Sequence, residues 1–192
     1  MVAQLPVKQL VVGSNPTRGA EFVLIWPYWR SIFMTEVEIR PIDKNDIKWV
    51  ISVLKRRWGS TKIITKGKAH QADQLPGYIA LLDKKKKGVI TYSIENDCEI
   101  VTLDCLSQGR GVGTALVKRV KETARKQGCK RVWLITTNDN TDALHFYQKR
   151  GFILSALYPN ALKQSRKLKP EIPQTGIDGI PLRDEIELEF ML

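Results

Sequence analysis

The sequence predicts an α+β fold: one central sheet, mixed but mostly antiparallel, flanked by helices. Three observations predict it. Short strand-like runs joined by tight turns open the patterned part of the chain, and a β-α-β-α-β alternation follows from Cys98. With 192 residues, 43% hydrophobic and 27% charged, the chain has apolar material for one sizeable core.

Residues 1–33 lack this pattern. Their periodicity is weak, Gly13-Ser14-Asn15-Pro16 reads as a turn, and the start is too poor in positive charge for a secretory signal. The run from Phe22 to Phe33 is too short to span a membrane and holds Pro27 and Arg30. The expectation is a disordered leader or a mis-assigned start, with Met34 as a second initiation point and the domain over residues 34–192.

The elements then follow in order. Val37 to Pro41 reads as a strand. Asp43 can cap a helix, with Asp46 completing an approximate capping box, Ile47, Val50, Ile51 and Leu54 on one face, and Gly59 as the stop. Residues 60–76 read as a polar connection. Tyr78–Leu82 and Val89–Ile94 form a hairpin around Lys84–Lys87 and Gly88, and Asn96-Asp97 turns into a strand over Cys98–Leu106. A helix over Gly111–Gln127 buries Val112, Ala115, Leu116 and Val120 and ends at Gly128. Then come a strand over Arg131–Thr137, a helix over Asn140–Arg150 and a strand opened by Gly151-Phe152. Residues 159–183, rich in Lys and Pro, read as a long loop before a last strand at Glu185–Phe190.

A net charge of +11 favours an anionic partner: nucleic acid, an acidic metabolite or a phosphate-bearing cofactor. Nucleic acid finds little support, because basic and aromatic residues do not interleave and no RNA-binding motif is present. Cys98, Cys105 and Cys129 form no CxxC pair, and two histidines make no zinc constellation, so no metal is expected. Cys98 and Cys105 would face opposite sides of one strand, which leaves free thiols suited to a reducing cytoplasm.

Leu103 to Leu116 is the most informative stretch: a strand running through Gln108-Gly109-Arg110-Gly111-Val112-Gly113 into an amphipathic helix. Glycines let backbone N–H groups come close to a ligand, and the helix start offers unsatisfied donors, so a pyrophosphate suits it. An ordinary glycine-rich turn is the competing reading. The stretch lacks the Gly-Lys-Ser/Thr of a P-loop and the spacing of a dinucleotide fingerprint. Further on, Asn140, Ala143, Phe146, Tyr147, Gly151 and Phe152 give N-x-x-A-x-x-F-Y-x-x-x-G-F, with positions 140, 143 and 147 on one helical face. Taken alone, that helix would simply fill core.

Together the two motifs, in this order, resemble the GNAT superfamily of acetyl-CoA-dependent N-acetyltransferases, over residues 36–192. The resemblance implies a single GNAT-like domain whose strand ending at Leu106 splays from the next, freeing backbone groups to grip pantetheine and polarise the thioester carbonyl. Leu106 and the amides of Gln108, Gly109, Arg110, Gly111, Val112, Gly113 and Thr114 would hold coenzyme A. Asn140 would contact the pantetheine arm, Ala143 and Phe146 would line its channel, and Tyr147 would protonate or hydrogen-bond the departing thiolate. Because Cys98-Glu99-Ile100-Val101 resembles the strand that carries the catalytic glutamate in histone-acetylating members, Glu99 is the expected base; an exposed strand carboxylate is the plain alternative. Asp104 and Glu95 are further candidates.

The implied reaction moves acetyl from acetyl-CoA to a primary amine, of a small molecule or a protein, by direct attack in a ternary complex. A lysine-like amine is rarely neutral at pH 7, a penalty of roughly 4.6 kcal/mol, whereas an α-amine faces about 1 kcal/mol, so a base is useful rather than obligatory. Cys105 as an acyl carrier is disfavoured for want of an activating histidine. A non-catalytic acyl-CoA sensor is the alternative function, and a homodimer is left open. His145 is expected to face out, and His70 or Arg56-Arg57-Trp58 to border the acceptor site if they are not plain surface. Lys163, Arg166, Lys167 and Lys169 read as a solvated loop that could attract an acidic acceptor or the adenosine 3′-phosphate.

Overall fold

In the computed structural model, which describes residues 37–107 and 109–192, Asp43 opens the first helical segment with a capping box. Its side chain accepts from the Asn45 amide while Asp46 reaches back to the Asp43 amide at 3.0 Å. Asp46 is also clasped by Arg40 and Lys86, which holds its carboxyl well below the usual carboxylate range. Helix α1 (Ile47–Trp58) follows, buries Val50, Val53 and Leu54, and stops at Gly59, whose left-handed φ of 77° closes it.

Nine strands are present among the described residues: β1 (Glu38–Pro41), β2 (Lys62–Thr65), β3 (Lys68–Gln71), β4 (Gly77–Leu82), β5 (Lys85–Ile94), β6 (Cys98–Cys105), β7 (Arg131–Thr137), β8 (Ile153–Tyr158) and β9 (Glu185–Met191). Seven form one sheet in the order β1-β4-β5-β6-β7-β9-β8, while β2 and β3 make a separate hairpin. Only β6 and β7 run parallel, joined by the crossover helix α2 (Val112–Lys126); the other ladders are antiparallel. Helix α3 (Thr141–Gln148) links β7 to β8, and α4 (Ala161–Leu168) lies between β8 and β9.

The β6–β7 ladder decides where a site can form. It pairs Cys98 with Val132, Glu99 with Trp133 and Ile100 with Leu134, then stops, although β6 continues to Cys105 and β7 to Thr137. The expected splay of the central strands is therefore present. On one face Ile90, Ile100, Leu134 and Leu188 pack with Val112, Leu116 and Val120 of α2 and with Tyr147 and Phe152. On the other face α1 packs against Ile79, Val89 and Val101. Further along that second face the cover is the β2–β3 hairpin and the contacts are ionic. Lys66 donates to Glu187 at 2.9 Å and stands over the Trp133 and Tyr158 rings, and Arg131 pairs with Asp97, Glu187 and Glu189.

Four expectations are corrected. The 60–76 connection contains the β2–β3 hairpin, turned at Lys66-Gly67 with left-handed φ of 49° and 72°. The β4–β5 turn is Asp83-Lys84, both left-handed, so Lys85–Lys87 belong to the strand and half-buried Lys86 reaches Asp46 instead of forming a solvated tip. The 159–183 loop holds α4, a run of good helix formers that buries Leu162 and Ser165 on one side. The strand from Cys98 ends at Cys105, one residue before Leu106. The reading of residues 1–33 lies outside the described residues. Among those described, no helix is long and apolar enough to cross a membrane, no group of His, Cys, Asp and Glu could hold a metal ion, and all three cysteines are free.

Candidate active site

The splay opens a cleft of about 880 Å³. Its walls come from the ends of β6 and β7, the turn before α2, the inner side of α3 and the end of α1. Gly109, Gly111, Val112, Gly113, Thr114, Asn140, Ala143, Phe146 and Tyr147 all line it, so nine of the residues singled out from sequence meet in one place.

The turn can hold an anion. Gly109 and Gly111 take φ of 70° and 75°, and Gly111 caps α2. The first helical hydrogen bond is made by the Ala115 amide to Gly111 O, so the Val112, Gly113 and Thr114 amides precede it as the unpaired donors of a helix start. Gly113 is closely packed: a Cβ there would stand 3.0 Å from the Phe146 ring and 3.1 Å from Cys105 Sγ, so one of them would have to give way. Arg150 adds positive charge: it lies 3.5 Å over the Phe146 ring and donates to Thr114 Oγ1 at 2.6 and 3.0 Å. The turn, its bare glycine and its cation fit a diphosphate.

Leu106 is not part of this lining; its amide donates to Lys87 O at 2.7 Å. Arg110 is exposed in the same turn, and Gln108 lies outside the described residues. Asn140 is the N-cap of α3, with Oδ1 accepting from the Ala143 amide at 3.1 Å. Tyr147 is buried, edge-on to Phe146 and Phe152. Burial, then the nearby Cys105 and Asp104, pushes its phenol well above the ordinary range, so it stays protonated and keeps a hydrogen to donate.

The two β6 carboxylates part company. Asp104 lines the cleft, 6% exposed, with both oxygens facing Trp58 Nε1 at 3.0 and 3.3 Å; burial raises its pKa to about 6 against the pull of Trp58 and Arg57. Glu99 lines a smaller recess of about 200 Å³ with Arg131 and Trp133. Its carboxylate accepts from Thr65 Oγ1 at 2.6 Å and lies 3.3 Å from His70 Nε2. Thr65 has one hydroxyl hydrogen and gives it to Glu99, so its 3.0 Å contact with His70 Nε2 requires the ring to donate. Burial lowers the pKa of His70 and raises that of Glu99, so both shifts work against a charged histidine–carboxylate pair. Glu95 is exposed and bound to Lys68.

Arg57 and Trp58 line the cleft, and Arg57 donates to Cys105 O at 3.3 Å. His145 faces solvent. His70 is buried, with Nε2 beside Thr65 and Glu99. The basic run near 163–169 is structural in part: Arg166 staples Ile172, Pro173 and Leu182 carbonyls, and buried Lys169 donates to Trp58 O and Lys62 O at 2.8 Å each. Arg150, Asp142 and Ile177 are cleft residues that sequence reading missed. Arg150 lay beside the second motif; Ile177 carries no local signal.

Residues 29–152 match the model of the Acetyltransferase (GNAT) family. The chain is 44% identical over 133 residues to the uncharacterized protein YdhI of Bacillus subtilis, covering 68% of this chain and 83% of that one. Its fold is similar to that of IAA acetyltransferase from Bacillus cereus, with a TM-score of 0.62 at 23% identity over 82% of this chain and 100% of that one. It is also similar to a putative streptothricin acetyltransferase from Bacillus anthracis solved with acetyl coenzyme A, with a TM-score of 0.59 at 17% identity over 82% and 100%. The family match spans well over half of the chain and contains both the glycine-rich turn before α2 and the Tyr147 helix, and on that ground the protein belongs to the GNAT family and is an acetyltransferase.

Proposed function

We propose that the protein moves an acetyl group from acetyl-CoA to a primary amine by direct attack, with both substrates bound at once. The observation that carries this is the lining of the splayed cleft, where the α2 turn, the buried Tyr147 phenol and a carboxylate share one cavity. The Val112, Gly113 and Thr114 amides and the Arg150 charge hold the diphosphate. The Asn140 side chain and the walls of Ala143 and Phe146 guide the pantetheine arm. Freed β6 backbone groups orient the thioester carbonyl and stabilise charge on its oxygen as the amine adds.

Tyr147 then donates toward sulfur as the C–S bond breaks. Full early transfer from a phenol near 10 to a thiolate near 8.5 is uphill by roughly 2 kcal/mol even before burial, so a hydrogen bond that strengthens with the developing charge fits better. The amine proton leaves to a β6 carboxylate, for which Glu99 and Asp104 compete. The acceptor is a primary amine of a small molecule or a protein.

Calorimetric titration with acetyl-CoA, followed by thiol release across a panel of a free N-terminal peptide, a polyamine and an aminoglycoside, tests this reading. Binding with amine-dependent thiol release is expected. Binding without release from any amine favours a coenzyme sensor, and no binding at about 1 mM, where even a weak site of −4.1 kcal/mol is half filled, rejects both.

A further inference from the structure

Two carboxylates on one strand make unequal bases, and the difference lies in what surrounds them. Asp104 and Glu99 stand opposite Val89 and Ser93 of β5, on the face that carries α1. Asp104 is in the cleft that also contains Tyr147, whereas Glu99 is outside that lining and engaged by Thr65 and His70. Asp104 thus shares the splay with Tyr147, while Glu99 sits where β6 is still paired with β7.

We propose that Asp104 is the group that takes the proton of the acceptor amine, and that Trp58, clamped by buried Lys169, is the positioning residue that sets its orientation and basicity. This rests on the amine-acetylation reading above. The proton balance is simple. The bound ammonium gives one proton to Asp104, and the freed lone pair forms the C–N bond. The C–S bond breaks with the pair passing to sulfur, which takes a proton from Tyr147. The second proton on nitrogen restores the phenol through water, giving amide and free thiol.

The clamp is built from backbone ends. Lys169 donates to Trp58 O and Lys62 O, and Lys62 Nζ returns a bond to Leu168 O at 2.6 Å, so the end of α4 fixes the last residue of α1. Trp58 is 40% exposed, yet its Nε1 is committed to Asp104. The charged and titratable groups around Asp104 are Arg57 from α1, Tyr147 from α3 and its neighbour Cys105, while Val89 opposite it is apolar. Burial holds the carboxyl at about 6, high enough to take a proton and low enough to be ionised at pH 7.

The test reads pH dependence twice. In the unliganded protein, carbon-detected NMR of labelled aspartates is expected to show one carboxyl titrating near 6, absent in Asp104→Asn and moved to higher pH in Trp58→Phe, which loses the bond favouring the charged form. With whichever panel amine gives thiol release, kcat/KM is expected to fall below about pH 6 in the native protein and in Glu99→Gln. Asp104→Asn should lose that limb together with about 10²-fold in rate, and Trp58→Phe should shift it upward. A limb that persists in Asp104→Asn, or disappears in Glu99→Gln, overturns the proposal while leaving acetyl transfer intact; loss of thiol release from every amine strikes the underlying reading instead.

Discussion

The two ends of β6 belong to the same strand but to different environments. At its start, three residues pair with β7 and the β2–β3 hairpin covers the face, so Glu99 is enclosed with Thr65 and His70. At its end, β7 has diverged and Asp104 and Cys105 look into an open cleft. Both carboxyls are raised by burial, yet only Asp104 lines the cleft that contains Tyr147. The lesson is that strand pairing, more than residue type, decides which acid on a strand is available for chemistry.

The most drastic way to break the contrast is to close the open end. Gly113→Val would drive its side chain into the Phe146 ring and Cys105 Sγ, filling the cleft beside the first amides of α2. Coenzyme binding should weaken by more than about 100-fold, the loss of roughly 2.7 kcal/mol, as read by calorimetry. Gly111 is the blunter target, because a Cβ there meets open space and the penalty is only its positive φ. Undiminished affinity in Gly113→Val would move the diphosphate elsewhere.

Next in size is Tyr147→Phe. The phenyl ring keeps its edge contacts with Phe146 and Phe152 and loses only the hydroxyl. Turnover should fall by about 10- to 100-fold while acetyl-CoA affinity stays within about twofold, because a donor acting on developing charge contributes to the transition state and not to binding. An unchanged rate removes the phenol from the chemistry.

The open end of β6 was largely legible in the sequence, and the closed end was not. Gly109 to Thr114 and Asn140 to Tyr147 are contiguous signals, readable because glycines and helical spacing act over a few residues. The β2–β3 hairpin was missed because its strands have four residues each, and their charged Lys62 and Lys68 masked a two-residue Lys66-Gly67 turn that was the available clue. Helix α4 hid behind its lysines, with just Leu162 and Ser165 buried. The partnerships that distinguish Glu99 from Asp104 join residues 34 and 46 positions apart, and nothing local encodes such meetings. Asp104 could be placed on a strand from sequence; that Trp58 would face it could not.

Stability offers a gentler comparison. A carboxyl raised from 3.8 to about 6 costs the folded state more as pH climbs through that window, since the unfolded chain ionises more easily. Asp104→Asn removes the charge and keeps an oxygen for Trp58. It should therefore be more stable than the native protein by about 2–3 kcal/mol above pH 7 and equal to it near pH 4, a trade of stability for function. Denaturant melts at the two pH values check this, and a variant less stable at both would mean that the carboxylate is a structural anchor.

Glu99→Gln should give the smallest effect and the cleanest reading of the closed end. With Thr65 still donating to the amide oxygen, the amide nitrogen faces His70 Nε2, and that clash of donors is relieved when the ring gives up its hydrogen there and accepts, at the cost of its bond to Thr65. His70 is therefore expected to switch tautomer, visible in the nitrogen shifts of its ring. The raised carboxyl of the native protein costs stability above its folded pKa, and losing it offsets the tautomer switch, so the net change should stay within about 1 kcal/mol. Turnover should fall by less than about threefold, well short of the 10²-fold that a lost general base costs. A larger fall would mean that the Thr65–His70–Glu99 trio reaches the acceptor after all, with the proton leaving through the hairpin rather than through the splay.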